Sequence, residues 1–290
     1  MDTEKCTALL TVLDCGSITA AAEKLGYTVS GVSRMMAALE ADCGFPLLLR
    51  GKTGVVPTED CKNLLPTFQE LARLGSLYEA RSSALRGLER GVIRVGCVYS
   101  AYYDWLAQTI AAFSKEHPGI EIHFLQGSSS EFYDRMAAHE VDLCLVSRRE
   151  SDCEFHVLKT DPLLAWIPKD HPRANDRFYP MEDFETDPYI DTYPGQETDN
   201  YRAFRANGIV PHSQFFSIDV SATHALVAAG LGVSLNNAVL SYGLDLSDIV
   251  TLPAEPRYEV EIGIAAPKKA QRSPAVEHFL KYALDRLPAG

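Results

Sequence analysis

Over residues 1–91 the apolar side chains recur at three- and four-residue intervals, whereas beyond Val92 short apolar runs alternate with longer amphipathic ones. The first spacing is that of helix faces and the second that of strands alternating with helices, so an all-α part is predicted ahead of an α/β part. In the first part Ser17 is placed to cap a helix, Ala20, Ala21 and Ala22 allow another helix close approach, and Gly26 supplies the left-handed position that ends it. Thr28 caps the next helix, where Val32, Met36 and Leu39 share one face and leave Ser30, Gly31, Ser33 and Arg34 on the other. The run from Ser17 to Cys61 reads as helix, turn, helix and hairpin wing, an arrangement that offers one helix to the DNA major groove. Only small or hydrogen-bonding side chains crowd the start of that helix, which suits contact with base edges.

Thr58, followed by Glu59 and Asp60, opens a helix predicted to reach about Arg90. Leu64, Leu71, Tyr78 and Leu85 recur every seven residues along it, with Leu74 and Leu88 on the partner seam, so a two-stranded pairing with a second copy is predicted. Pro66, Thr67 and Arg81 limit its length. The alternative is a helix packed on its own chain; pairing is favoured because no neighbouring segment matches it.

From Val92 the order VIRVGCV, YYDWLAQTIAAFSKEH, IEIHFLQ, EFYDRMAAHE, VDLCLVS predicts βαβ units and a parallel sheet with right-handed crossovers. A second block follows from LLAWIPK to LGVSLN, and EVEIGIAAP with the helix after it returns the chain to the first block. Two α/β lobes joined by two crossovers, with a cleft between, are expected. Ligands of open α/β sheets bind beyond the carboxyl ends of strands, where helix N-termini offer free N–H groups. Tyr99, Ser100 and Tyr102 follow the first strand, Gln126, Ser128 and Ser129 the second, Ser221 opens a helix in the second lobe, and Tyr193 lies in the acidic loop 191–199. Any one of these serines serves equally well as an ordinary cap, but their recurrence at successive strand ends favours a ligand cleft. No Arg or Lys lies in those loops, so a neutral or aromatic ligand is preferred to a dicarboxylate held by an arginine clamp, while a monocarboxylate could still be met by backbone N–H groups.

Ser17, Ala21-Ala22, Leu25, Val32-Ser33-Arg34, Leu39-Glu40, Gly44, Pro46-Leu47, Arg50, Gly54 and Thr58 stand at one continuous spacing. In this the chain resembles the LysR-type transcriptional regulators, and with the α/β part behind it the resemblance covers the whole chain. It implies an N-terminal all-α winged helix-turn-helix (residues 1–60), a long linker helix for dimerisation (61–91) and a two-lobed, periplasmic-binding-protein-like α/β effector domain (92–290). The function so implied is sequence-specific binding of double-stranded DNA, modulated by a small-molecule effector, by a homodimer that assembles further into a homotetramer. Thr28, Ser30, Gly31, Ser33 and Arg34 are the expected groove-facing residues, and Arg50, Lys52 and Thr53 of the wing are expected on the backbone or the adjacent minor groove. The chain departs from the family with Met35, Ala37 and Ala38 where basic or long polar residues are frequent, Val29 where glutamine is common, Leu48 for phenylalanine and Cys61 for glycine. Grip on phosphates is correspondingly thin.

Charge sharpens that point. The net charge is −12, and residues 1–91 carry 10 Lys and Arg against 11 Asp and Glu, a net of −1, so −11 falls on residues 92–290. Duplex affinity comes largely from cations replacing counterions, so one DNA-binding part alone binds modestly and multivalent attachment is required. The N-terminus, MDTEKCTALLTVLDCG, lacks the basic-then-apolar pattern of a signal peptide, and no stretch is long and apolar enough to span a bilayer; a cytoplasmic protein without a membrane partner is expected. Seven cysteines without a C-x-x-C pair argue against disulfides or a zinc ribbon. Cys97 and Cys144 sit in apolar strands, which leaves Cys153, beside Arg148 and Arg149, as the one candidate for a thiol switch. Gly230-x-Gly232 closes a helix instead of opening one, so it is no dinucleotide loop. The eight histidines show no metal spacing and no G-x-S-x-G elbow is present; no metal, cofactor or catalytic residue is expected, and the chain is not expected to be an enzyme. The competing reading is a cytoplasmic solute-binding or enzymatic α/β protein with an N-terminal interaction module.

Overall fold

The computed structural model describes residues 2–51, 54–85 and 90–287, and the side chains of all of these except Arg50, Ala84 and Leu85. Lys52, Thr53 and Leu88, singled out above, lie outside the described residues. Helices α1 (Thr3–Cys15), α2 (Ile18–Leu25) and α3 (Val29–Cys43) enclose a core of Leu9, Val12, Ala22, Val32, Met36 and Leu39. Ser17 and Thr28 cap α2 and α3 as expected, accepting from the N–H groups of Ala20 (3.4 Å) and Gly31 (3.1 Å), and Gly26 and Gly44 end them in the left-handed region at φ 70° and 83°. Strands β1 (Leu48–Gly51) and β2 (Gly54–Pro57) pair antiparallel as the wing.

Helix α4 (Glu59–Leu85) contains Pro66 without breaking. Phe68 and Ala72 are buried in the core of the first three helices, with Leu64 and Leu71 packed against it. Gly75 lies so close to Thr3 that a Cβ there would come within 2.7 Å of its side chain. The expectation that no neighbouring segment matches this helix is therefore corrected: α1 covers part of the heptad face, because a seven-residue repeat suits a helix of the same chain as well as a second copy. Leu74 and Tyr78 remain outside, 45% and 68% exposed. Farther along, α4 meets the C-terminal part: His139 Nε2 lies 3.0 Å from the Glu70 carboxylate, and Arg73 and Arg81 donate to the carbonyl oxygens of Gln271 and Ala270.

The remaining elements are β3 (Gly91–Cys97), α5 (Tyr103–Glu116), β4 (Ile120–Gln126), α6 (Ser129–Ala137), β5 (Leu143–Ser147), β6 (Glu154–Pro168), β7 (Tyr179–Pro180), β8 (Tyr189–Thr192), α7 (Asp199–Asn207), β9 (Ser213–Ser217), α8 (Val220–Ala228), β10 (Ser234–Asn237), β11 (Ile249–Glu255), β12 (Glu259–Ala266) and α9 (Pro274–Leu284). β3 runs parallel to β4 and β5, but β12 is antiparallel to β5 and β6, so the sheet is mixed and not purely parallel as predicted. The reason is that β11 and β12 follow one another in the same direction, both antiparallel to β6, as the chain returns from the second lobe to the first. Strand β6 belongs to both lobes: Glu154–Pro162 pair with β12, and Leu163–Pro168 with β10 and β11. Only its second half, LLAWIPK, stands out in the sequence. Each lobe has its own core, around Val95, Phe113, Ile262 and Phe279 in the first and around Ile167, Tyr179, Phe184 and Phe204 in the second.

Candidate functional site

Two surfaces carry the chemistry. On α3, Ser30 and Arg34 are exposed and Ser33 half-buried beside them. The Ser30 hydroxyl lies 3.2 Å from that of Thr28, and Arg34 Nε donates to the Ser30 carbonyl (3.3 Å), which lays the guanidinium back along the helix start. Gly31 belongs in this tight cap, since a Cβ there would sit 3.1 Å from Thr28 Oγ1. The wing is fixed by residues of the family-like pattern. Glu40 Oε1 accepts from the N–H groups of Leu47 (2.8 Å) and Leu48 (3.2 Å), tying α3 to the chain that enters β1. Thr58 donates its hydroxyl to the Pro46 carbonyl (3.0 Å) and accepts from the Cys61 N–H (3.0 Å). Gly54, at φ 119°, lets β2 approach Gly16 so that the Val55 N–H reaches the Gly16 carbonyl at 2.8 Å. Arg50 takes its backbone place in β1 opposite Val55.

The second surface is a cavity of about 60 Å³ between the lobes, room for roughly four to six waters. Four of the residues expected at a ligand cleft line it: Tyr99, Ser128, Ser129 and Tyr193. Ser128 caps α6, accepting from the Glu131 N–H, and Tyr193 is held at φ 61°, an uncommon left-handed position for a non-glycine. Ser100, Tyr102, Gln126 and Ser221 lie outside the lining. A 3-10 turn at Ser100–Tyr102 leaves Ser100 exposed and rotates the Tyr102 ring into the first lobe's core, edge-on to Trp105. Gln126, exposed at the end of β4, meets the Tyr103 hydroxyl, and Ser221 faces solvent on α8 because Asp219 takes the cap instead.

What the strand-end reading missed is the polar centre of the cavity. Arg149, just beyond β5, and Asp199, the first residue of α7, form an ion pair at 2.7 Å with side chains 10% and 5% exposed. Asp199 Oδ1 also accepts from the Ser147 hydroxyl (2.8 Å) and Arg202 (2.7 Å), while Ser147 donates its N–H to Ser129 Oγ (3.3 Å) and the two serine hydroxyl oxygens lie 3.2 Å apart. Burial would raise the Asp199 carboxyl, but the Arg149 and Arg202 guanidiniums outweigh it and hold the group below the ordinary carboxylate range. Burial also pushes the Tyr99 phenol, whose hydroxyl meets Ser147 and Ser129, well above its usual value. The expectation of no arginine near the cleft is thus corrected; the signal was present in the VSRR run at the third strand end. From the second lobe come Thr192, Asn236 and Asn237, and Val98, Val220, Leu235 and Leu240 supply apolar wall. A wider depression of about 630 Å³ on the second lobe is a surface of internally paired groups, Arg173 with Asp176 and Asp183 and His171 with Asp187.

The thiol switch finds no support in the surroundings of Cys153. Burial raises its thiol, Arg148 is engaged by Glu261 and Arg149 by Asp199. The Cys97 thiol is pushed up to about 12 by burial, and Cys144 is raised as well.

Comparison with known proteins joins both surfaces. The family described as "LysR substrate binding domain" matches residues 86–288, and "Bacterial regulatory helix-turn-helix protein, lysR family" matches residues 4–62. The uncharacterized HTH-type transcriptional regulator YvbU of Bacillus subtilis is 24% identical over 274 residues, 94% of either chain. Among solved structures, a full-length OxyR variant of Pseudomonas aeruginosa shares the fold with a TM-score of 0.73 at 17% identity, covering 99% of this chain and 94% of that one. Full-length CbnR complexed with its target DNA superposes with a TM-score of 0.60 at 20% identity, over 99% of this chain and 100% of the other.

Proposed function

The chain belongs to the lysR family of bacterial helix-turn-helix regulators, DNA-binding transcriptional regulators with a C-terminal effector-binding domain, and on that premise we propose which residues perform each task. Ser30, Ser33 and Arg34 enter the major groove behind the Thr28–Gly31 cap, and Arg50, Lys52 and Thr53 of the wing touch the phosphate backbone or the neighbouring minor groove. The effector lies between the lobes against Tyr99, Ser128, Ser129 and Tyr193, with Arg149, Thr192, Asn236 and Asn237 taking the places first given to Ser100, Tyr102, Gln126 and Ser221. The observation that carries this reading is the half-open, mostly apolar cavity at the lobe junction, lined by polar residues of both lobes.

The protein acts in the cytoplasm as a homodimer that pairs again into a tetramer, and no catalytic step is assigned to it. Among the described residues no helix is long and apolar enough to cross a membrane. Leu74 and Tyr78 on α4, and Phe216 with Ile218 at the exposed end of edge strand β9, offer apolar surface for a second copy. Two half-sites roughly 34 Å apart, or multiples of that, would then be held together. A gel shift with DNA from beside the protein's own gene tests the assignment: the expected outcome is a salt-sensitive, sequence-specific complex that changes with small metabolites, and binding indifferent to DNA sequence refutes it. Light scattering should show a multimer that weakens in a Leu74→Asp, Tyr78→Asp variant; a monomeric wild type refutes the assembly.

A further inference from the structure

We propose that Asp199 is a resident carboxylate filling the anion-binding position of the interlobe cleft, so that the space beside it accepts a small uncharged molecule bearing a hydrogen-bond acceptor. The inference rests on the reading of this cleft as the effector site. A carboxylate arriving from solvent would be held by what already holds Asp199: the Ser147 hydroxyl at 2.8 Å, Arg149 Nη1 at 2.7 Å and Arg202 Nη2 at 2.7 Å, all converging on Oδ1. The α6 N-terminus is adjacent through Ser129, bonded to Ser147. This is a built anion site, and a side chain from the second lobe occupies it.

A second carboxylate in the remaining space would lie against the first and be repelled, because Arg149 and Arg202 are already shared with Asp199. The unpaired groups at the cavity ask for something else. Asn236 and Asn237, 4% and 7% exposed, each keep a buried amide nitrogen without a partner, and the Arg149 Nε is in the same state. Three unpartnered donors carried by residues that line a cavity of about 60 Å³, with Val98, Val220, Leu235 and Leu240 around it, match a ketone, ether or alcohol of few heavy atoms.

Propionate and butanone, matched in shape and differing in charge, make the test. Thermal unfolding of the full chain is followed against each, for the wild type and for Asp199→Ala. Propionate is expected to stabilise the variant at concentrations roughly tenfold or more below any that affect the wild type, whereas butanone acts on the wild type at least as strongly as propionate does. An equal or stronger propionate response in the wild type overturns the proposal, as does a variant that propionate leaves unchanged. Should the alanine variant fail to fold, Asp199→Ser, a residue well suited to the first turn of a helix, answers the same question. DNA binding is read separately by gel shift: a variant stabilised by propionate without any change at its operator leaves the resident carboxylate standing and removes the effector reading instead.

Discussion

The DNA-binding part and the interlobe cleft are held by polar bonds of opposite kinds. Around α3 and the wing the deciding contacts are local and half-exposed: Glu40 reaches Leu47 seven residues on, and Thr58 reaches Pro46 twelve back. At the cleft Ser147 meets Asp199 across 52 residues of chain and Arg149 meets it across 50, and the groups are buried. The first set forms as soon as its own segment folds. The second exists only while the lobes are together, since Ser147 and Arg149 come from one and Asp199 from the other. A ligand that altered the lobe angle would act on buried charge, where each bond is worth most, whereas the contacts that fix α3 and the wing lie within their own segment.

Breaking the cleft should therefore cost the most. Asp199→Ala leaves two guanidiniums without their buried partner and is expected to lower stability by about 3–5 kcal/mol in urea unfolding; a loss near zero would mean that the lobes do not depend on this pair. The same group sets an acid limit. Its folded pKa lies below the unfolded value, so its contribution is complete above the ordinary carboxylate range and fades as pH falls through the folded value. Acid titration of the wild type should show that loss and the variant should lack it. Next, Glu40→Ala strands the Leu47 and Leu48 N–H groups and should cost about 1.5–3 kcal/mol. Hydrogen exchange is expected to find the loosening in residues 29–58 and the cleft unaltered; equal loosening of the cleft would join two regions held here to be independent. Arg34→Ala, which removes a guanidinium bonded to the exposed Ser30 carbonyl, should leave the melting temperature unmoved and cost about 1–3 kcal/mol in DNA affinity with relaxed base preference. Unchanged affinity would remove Arg34 from the reading set. Smallest, Thr28→Ala should cost about 1 kcal/mol through its lost cap, seen as a modest fall in chemical stability.

This contrast also decides how much was legible in the chain. Ser17, Gly26, Thr28 and Gly44 announce α2 and α3 because caps and left-handed glycines act within a few residues. The two lobes follow from alternating patterns in the same way. In the cleft, Tyr99, Ser128, Ser129 and Tyr193 could be placed from strand ends, yet Tyr102, three residues from Tyr99, turns inward because a 3-10 turn intervenes. Arg149, Asp199, Asn236 and Asn237 meet only through the tertiary fold, and an aspartate opening a helix reads as an ordinary first-turn acid. The heptads of α4 were legible as apolar face but not as to partner, since α1 and a second copy are chemically equivalent cover. Strand β6 hid its first half because EFHVLKT is charged and half-exposed where it pairs with β12.

That strand has a mechanical consequence. A single span running through both sheets, accompanied among the described residues by the link at 256–258, gives the lobes a shared torsion axis instead of a free joint. Twist introduced at the cavity is carried into β12, and β12 leads directly into residues 268–272, whose carbonyl oxygens receive Arg73 and Arg81. Those arginines stand eight positions apart on α4, just over two turns, and so about 80° apart around its axis. A rotation of the lobes would reach α4 at these two points, and the other end of α4 packs in the core that also holds α3.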